Sequence, residues 1–276
     1  MNTALTLREL RQGLHLSYSQ INTYLTCSLR YHFQYVKALP PEHVSSSLIL
    51  GSAIHQTLAF YFTGLKNQGK PPADEEILGC FRKDVVDRIA AAQVAVHYKV
   101  DVPSVQALVA QGEALLTAFL KDPAFTGMEV VAVELPLQSG LVNADGALGD
   151  MALVGAIDLL LRDQLGRLLA VDHKTAKQAF TQDAIDRDLQ LSAYAYLLAE
   201  NGYLDEGQSL HCGFHVLRKL KAPKVERHLT LRTPADRRRF VRIAQSVLAA
   251  IEAQSFVPCT GWQCGDCAYQ KACAAW

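Results

Sequence analysis

Asp158, Asp172 and Lys174 are the residues whose types and spacing could most readily do chemistry. They sit in VGAIDLLLRDQLGRLLAVDHKTAK, where two apolar runs flank a turn at about 163–166. A hairpin turning there pairs residues whose numbers sum to roughly 329 or 330, which sets Asp158 opposite Asp172 or one place off. Side chains two apart share a sheet face, so Lys174 stands with Asp172 while the His173 ring points the other way. Carboxylates facing across strands have Cβ atoms about 5 Å apart and repel unless a cation lies between them. Oxygen ligands of this kind suit Mg²⁺ or Mn²⁺, and a neighbouring ammonium can orient a water or stabilise developing negative charge. Asp-x-Lys alone also recurs by chance, and an acidic pair at strand ends equally describes a solvated rim.

A second set is built from sulfur. Cys264-x-x-Cys267 and Cys273 put three thiols within ten residues of irregular chain, the spacing of a metal knuckle. A fourth ligand would be Cys259, close in sequence, or Cys27, far away in an N-terminal helix; Cys80 and Cys212 fall in helix and strand patterns and are expected to pack as small apolar residues. Spacing alone leans towards Cys259. Tetrahedral thiolate sites accept zinc or iron–sulfur clusters equally.

Elements must hold these residues in place. Ser17-x-x-Gln20 is a capping-box pattern that opens one helix reaching towards Pro40-Pro41. A second helix over about 51–65 repeats His55, Leu58, Ala59 and Phe62 at helical spacing, which turns His55 inward; a lone histidine there is also what a satisfied core residue looks like. Helical patterns follow near 75–92 and 105–120. Strand-like runs begin at Met128, Ala152 and Arg167, separated by Gly and Asn/Asp turn clusters, and read as an antiparallel meander. A helix carrying Gln190, Tyr194 and Leu198, two strands (209–218 and 224–232) and a long helix from Pro234 complete the pattern. The order predicts a mixed α/β or α+β fold. Glu134, in the strand before the hairpin, is read as lying outside the acidic pair. Gly64 to Lys70 approaches a phosphate-loop spacing, but Pro71-Pro72 follow where a hydroxyl residue and a helix are required, so it is read as a helix terminus and loop.

Totals narrow the class. With 27 basic and 27 acidic residues, no global field advertises a polyanionic partner, and any nucleic-acid surface must be local. Arg218, Lys219, Lys221 and Lys224, the run Arg237 to Arg239, and Arg30 beside Tyr31 are the local candidates, with Tyr18, Tyr24, Tyr31, Phe33 and Tyr35 as stacking surfaces or core aromatics. The start of the chain lacks an export-signal pattern, no run of about 18 apolar residues occurs, and seven cysteines without such a signal favour reduced thiols or metal ligands. A cytoplasmic protein without membrane contact is expected.

His55 in GSAIHQTLAFYF, Asp158 in GAIDLLL, Asp172-His173-Lys174 after LLAV, and Gln190-x-x-x-Tyr194 in QLSAYAYLL stand in the order of the motifs of RecB-type PD-(D/E)XK nucleases, and over residues 51–198 the chain resembles that family. The resemblance implies a restriction-endonuclease-like core with a mixed central sheet flanked by helices and a helical N-terminal insertion. It implies His55, Asp158, Asp172 and the His173 carbonyl as ligands to Mg²⁺ or Mn²⁺, Lys174 as the catalytic lysine, and Gln190 and Tyr194 beside them on one helix face. In the iron–sulfur subset, which includes the AddB C-terminal nuclease and the CRISPR-adaptation exonucleases, one cysteine precedes the core and three follow. Cys27, Cys264, Cys267 and Cys273 resemble those four, implying a [4Fe-4S] cluster, with Zn²⁺ as the alternative. The expected organisation is a single domain over 1–276, with 1–50 and 256–276 clasped together, a helical part at 51–127 and the sheet-containing core at 128–255. The implied activity is cleavage of single-stranded DNA or DNA ends in repair, recombination or CRISPR spacer processing. The alternative is a DNA-binding or nuclease subunit active only with a helicase or integrase partner.

Overall fold

A computed structural model of the chain describes residues 5–122, 125, 127–142 and 148–276; the Asn/Asp turn cluster expected between the first two strand runs falls at 143–147, outside them. In chain order the elements are α1 (Leu7–Leu10), β1 (His15–Leu16), α2 (Tyr18–Thr26), α3 (Ser28–Tyr31), a π turn (His32–Val36), β2 (Val44–Ser45), α4 (Ser46–Gln68), α5 (Asp74–Ala90), β3 (Val96–His97) and α6 (Val105–Leu120). There follow β4 (Glu129–Val142), β5 (Leu148–Arg162), β6 (Leu168–Ala176), α7 (Gln182–Asp186), α8 (Leu189–Glu200), β7 (Leu210–Arg218), β8 (Lys224–Arg232), α9 (Pro234–Glu252), a 3-10 turn (Trp262–Asp266) and α10 (Gln270–Ala274).

The expected mixed sheet flanked by helices is present. β4 and β5 pair antiparallel along their length, and the other edge of β5 is shared between β1, parallel at Ala152–Leu153, and β6, antiparallel from Leu159 to Arg162. Beyond β6 the order runs to β7, parallel, and β8, antiparallel. Odd and even residues feed opposite layers, as the strand period demands. Leu160, Ala170, Phe214 and Val216 pack with α8 and α9, while Leu159, Leu161, Val171 and Leu217 pack with α4, α5 and α6. Gly155 lets α8 close on β5, since a Cβ there would stand 2.8 Å from Leu197 Cδ1.

α4 is long and apolar enough to cross a membrane by length and composition, a feature the search for a continuous apolar run does not register. Here its Ile49, Ile54, Leu58 and Phe62 belong to the second apolar layer. Its C-terminus is capped by left-handed Gly69, so the glycine-rich stretch is the helix terminus expected.

The single helix expected from Ser17 is broken. The Ser17–Gln20 capping box forms, but α2 stops at Thr26 and Cys27 is extended. Bonds to the tail explain the break: Leu29 N donates to Val257 O at 3.1 Å, and Val257 N donates to Ser28 Oγ at 2.9 Å. Leu29, Phe33 and Tyr269 form a small third core there, with Cys27, Phe256 and Cys267 against it.

Candidate metal centre and cysteine-lined cavity

Pairs Leu159↔Val171 to Arg162↔Leu168 keep a sum of 330, and the ladder stops one residue short of Asp158 and Asp172. Both acids therefore stand where β5 and β6 splay apart. The fork frees a backbone donor: His173 N gives its hydrogen to Asp158 Oδ2 at 2.9 Å. The His173 ring points into the other layer, stacked on Phe62 at 5.6 Å and bonded through Nδ1 to His215 Nδ1 at 3.2 Å. From that layer α4 delivers His55, whose Nδ1 lies 3.1 Å from Asp158 Oδ2.

Asp172 is 1% exposed and is held by side chains alone. Lys174 Nζ stands 2.6 Å from Oδ2, and Tyr194 donates to Oδ1 at 2.9 Å. Gln190 Nε2 also donates to Oδ1, and Gln190 Oε1 accepts from Lys174 at 2.7 Å. Tyr194 OH reaches Asp158 Oδ1 as well, at 3.4 Å. Thus α8 supplies two groups, one turn apart, that bridge the fork. The N-terminus of α8 is capped by Asp188 and clamped by Arg232, a buried side chain that donates to Ile185 O at 2.6 Å, Asp188 O at 3.0 Å and Ser192 Oγ at 3.0 Å. Sequence reasoning passed over Arg232, because an arginine closing a strand reads as a surface charge.

Glu134 corrects the earlier reading. The register pairing Val133 with Leu159 and Leu135 with Ile157 brings Glu134 across from Asp158, and its ligand atom lies within 4.8 Å of those of His55 and Asp158. Its backbone is left-handed at φ 47°, a conformation that costs a non-glycine residue and is held by the surrounding ladder. The β4–β5 register that places it is set between strands whose connection holds no unique pairing in sequence.

Protonation follows from this crowding. Burial and the charge of Asp158 push Glu134 up to about 7, against the pull of His55. Asp172 rises to about 6 through burial, with Lys174 opposing and Asp158 adding. Burial also works against the Asp158 anion, but His55 and the His173 amide hold its pKa below the usual carboxylate range. Burial lowers His55, yet the bond and charge of Asp158 leave it raised. Three carboxylates thus share two cationic partners, and Asp172 Oδ2 is buried without a well-directed hydrogen bond. Hard oxygen donors with one imidazole fit a divalent cation of the Mg²⁺ or Mn²⁺ kind.

Apart from the fork, Cys27, Cys259, Cys264, Cys267 and Cys273 line one cavity of about 300 Å³. Burial and the nearby Cys27, Cys267 and Cys264 raise the Cys273 thiol, whereas Cys259 turns its amide to Cys27 Sγ at 3.5 Å. Among the described residues no three thiols come within 4.8 Å of one another. Cys212 is buried in the first apolar layer, and burial pushes its thiol up to about 12.

Several expected nucleic-acid contacts are spent elsewhere. Arg218 is buried and paired with Glu226 at 2.6 Å, because β8 sets that carboxylate opposite Val216, diagonally across on the same face. Tyr31 and Phe33 are buried and Tyr24 donates to Ser255 O at 2.6 Å, so these rings pack the seam with the tail.

A family model described as "PD-(D/E)XK nuclease superfamily" matches residues 15–274. No curated protein sequence matches the chain significantly. Among solved structures, a Eubacterium rectale protein designated a "putative exonuclease" aligns at TM-score 0.58 and 12% identity, covering 99% of this chain and 94% of that one. It shares the fold. Another, designated SSO0001, aligns at TM-score 0.38 and 14% identity over 93% of this chain and 95% of its own.

Proposed function

The chain belongs to the PD-(D/E)XK nuclease superfamily, whose members use divalent metals such as Mg²⁺, and from that premise we propose that it is a deoxyribonuclease acting on single-stranded DNA or DNA ends, as RecB-type exonucleases do. The observation that carries this reading is the fork: ligand atoms of His55, Glu134 and Asp158 within 4.8 Å of one another, with Lys174 against Asp172 on the neighbouring strand. In this proposal His55, Glu134, Asp158, Asp172 and the His173 carbonyl hold the cation. When bound, Mg²⁺ or Mn²⁺ supplies Lewis-acid polarisation of a phosphodiester and makes a nearby water more acidic. Lys174 orients the attacking water and faces the developing negative charge. Its ammonium is favoured despite burial because Asp172 adjoins it, so at neutral pH it donates. Gln190 and Tyr194 keep Asp172 and Lys174 in register, and Tyr194, buried beside two carboxylates, stays protonated.

For the second site, the proposal is a [4Fe-4S] cluster on Cys27, Cys264, Cys267 and Cys273. Zinc at about 2.3 Å from each sulfur would need thiols about 3.8 Å apart; thiols spread around a 300 Å³ cavity suit the larger group better. The Cys259 amide bonded to Cys27 Sγ leaves Cys259 as a donor to the site. The role is structural, joining the N-terminal helices to the tail.

The test is degradation of end-labelled single- and double-stranded DNA by anaerobically prepared protein with Mg²⁺, Mn²⁺ or chelator, beside folded Asp172→Ala and Lys174→Ala. Metal-dependent loss of label by the parent alone is expected. Equal activity in all three would remove the fork as the active site, and equal inactivity with a loaded cluster would leave the partner-dependent alternative.

A further inference from the structure

Outside the fork, ligating side chains converge once more among the described residues: ligand atoms of His43, His97 and Asp266 all lie within 4.8 Å of one another. They come from three distant stretches. His43 precedes β2, His97 ends β3, and Asp266 ends the 3-10 turn between Cys264 and Cys267. The parallel β2–β3 pair sets Val44 beside Val96 and Ser45 beside His97, which carries the two imidazoles together. Their rings are 4.9 Å apart and nearly perpendicular, at 87°.

Asp266 divides its carboxylate between two tasks. Oδ2 faces Lys99 Nζ at 3.3 Å and accepts from Ser45 Oγ at 3.4 Å. Oδ1 faces both imidazoles, with His97 Nδ1 at 3.1 Å and His43 Nε2 at 3.7 Å. That His43 nitrogen is buried and makes no hydrogen bond. A tetrahedral zinc with ligands at about 2.0–2.2 Å has ligand atoms about 3.4 Å apart, and the two observed separations bracket that value. The His97 nitrogen hydrogen-bonds to Asp266 Oδ1, while the buried His43 nitrogen is left without a bond beside the same oxygen, so the three ligand atoms converge with one donor unused. The trio opens on a cavity of about 860 Å³ lined also by Arg30, Tyr98 and Trp262, which leaves access for a water as fourth ligand.

We propose that His43, His97 and Asp266 form a separate transition-metal site of the zinc type. Two imidazoles and one carboxylate favour Zn²⁺ over Mg²⁺. Lys99 and Ser45 fix the carboxylate from behind, the outer support that ligating carboxylates use. Because Asp266 lies between two cysteines, the cation fastens the cysteine-bearing loop to β2 and β3. The site needs neither DNA nor the cluster, so it stands apart from the nuclease proposal.

The test uses the full chain, cluster-loaded under anaerobic conditions and carrying Asp158→Asn to impair the fork. Zn²⁺ is added, the protein is desalted, and zinc and iron are both measured. One retained zinc per chain is expected, with retention weakened more than about tenfold by His43→Gln or His97→Gln and iron content unchanged. His97 is more than half exposed, so its variant should fold, and unchanged melting without zinc checks this. Zinc should raise the melting temperature of the background protein and not of the variants. Co²⁺ in place of zinc should give weak ligand-field bands without thiolate charge transfer. Equal zinc in the variants, no zinc in the background protein, or a thiolate spectrum would each overturn the proposal.

Discussion

The fork and the cysteine-lined cavity are built on opposite principles. In the fork both aspartates already have protein partners: Asp158 has His55 and the His173 amide, and Asp172 has Lys174, Gln190 and Tyr194. Its side chains hold their geometry through one another. Around the cavity five cysteines gather, and the seam beside it is closed by a three-residue core and a few backbone bonds. The lesson is that the fork is assembled by folding, whereas on the cluster proposal the cavity depends on the group that would fill it.

The largest effect should come from the cavity. On the cluster proposal, Cys27→Ser removes a link that would close most of the chain into one loop, which is about 5 kcal/mol of stability on the loop-entropy model. Thermal melting with iron analysis checks it; melting unchanged after iron loss would mean the cavity holds itself together. Lys174→Ala makes the opposite demand. It should lower the DNA cleavage rate by about 10²–10³-fold while melting close to the parent, and a variant that lost folding in proportion to activity would erase the distinction.

A pH experiment sharpens the contrast. His215, buried between Phe119 and Phe125 on the far side of the fork, is pushed down to about 4 by burial and by Arg227. A histidine depressed in the folded state gives stability that is complete above its unfolded value near 6.5 and is lost as pH falls from there towards 4, up to about 3 kcal/mol. Denaturant unfolding at pH 7, 5.5 and 4.5 reads this, and His215→Phe should flatten the dependence. The smallest effect belongs to Tyr194→Phe. It removes one hydroxyl donor to Asp172, about 1–2 kcal/mol, with cleavage reduced and the fold kept.

Much of the fork could be read from sequence because local rules govern it. Turn chemistry fixed the β5–β6 register at the expected sum of 330, which carries Asp158 and Asp172 to the end of the ladder, and helical spacing brings His55 to Asp158. What escaped reading depended on distant chain. Glu134 reached the fork through the β4–β5 register, Cys27 ended a helix because residue 257 pairs beside it, and Arg218 lost its phosphate role to Glu226 on the next strand. Arg232 is the general case: a strand-end arginine becomes buried only once α7 and α8 present their carbonyls to it.

The most direct test of the central claim is Mn²⁺ binding, followed by electron paramagnetic resonance on cluster-loaded protein beside Asp158→Asn and Glu134→Gln. The account predicts saturable binding by the parent, weakened at least about tenfold by either substitution with the melting temperature little changed. Binding of the same strength in all three proteins would contradict a cation centre at the fork.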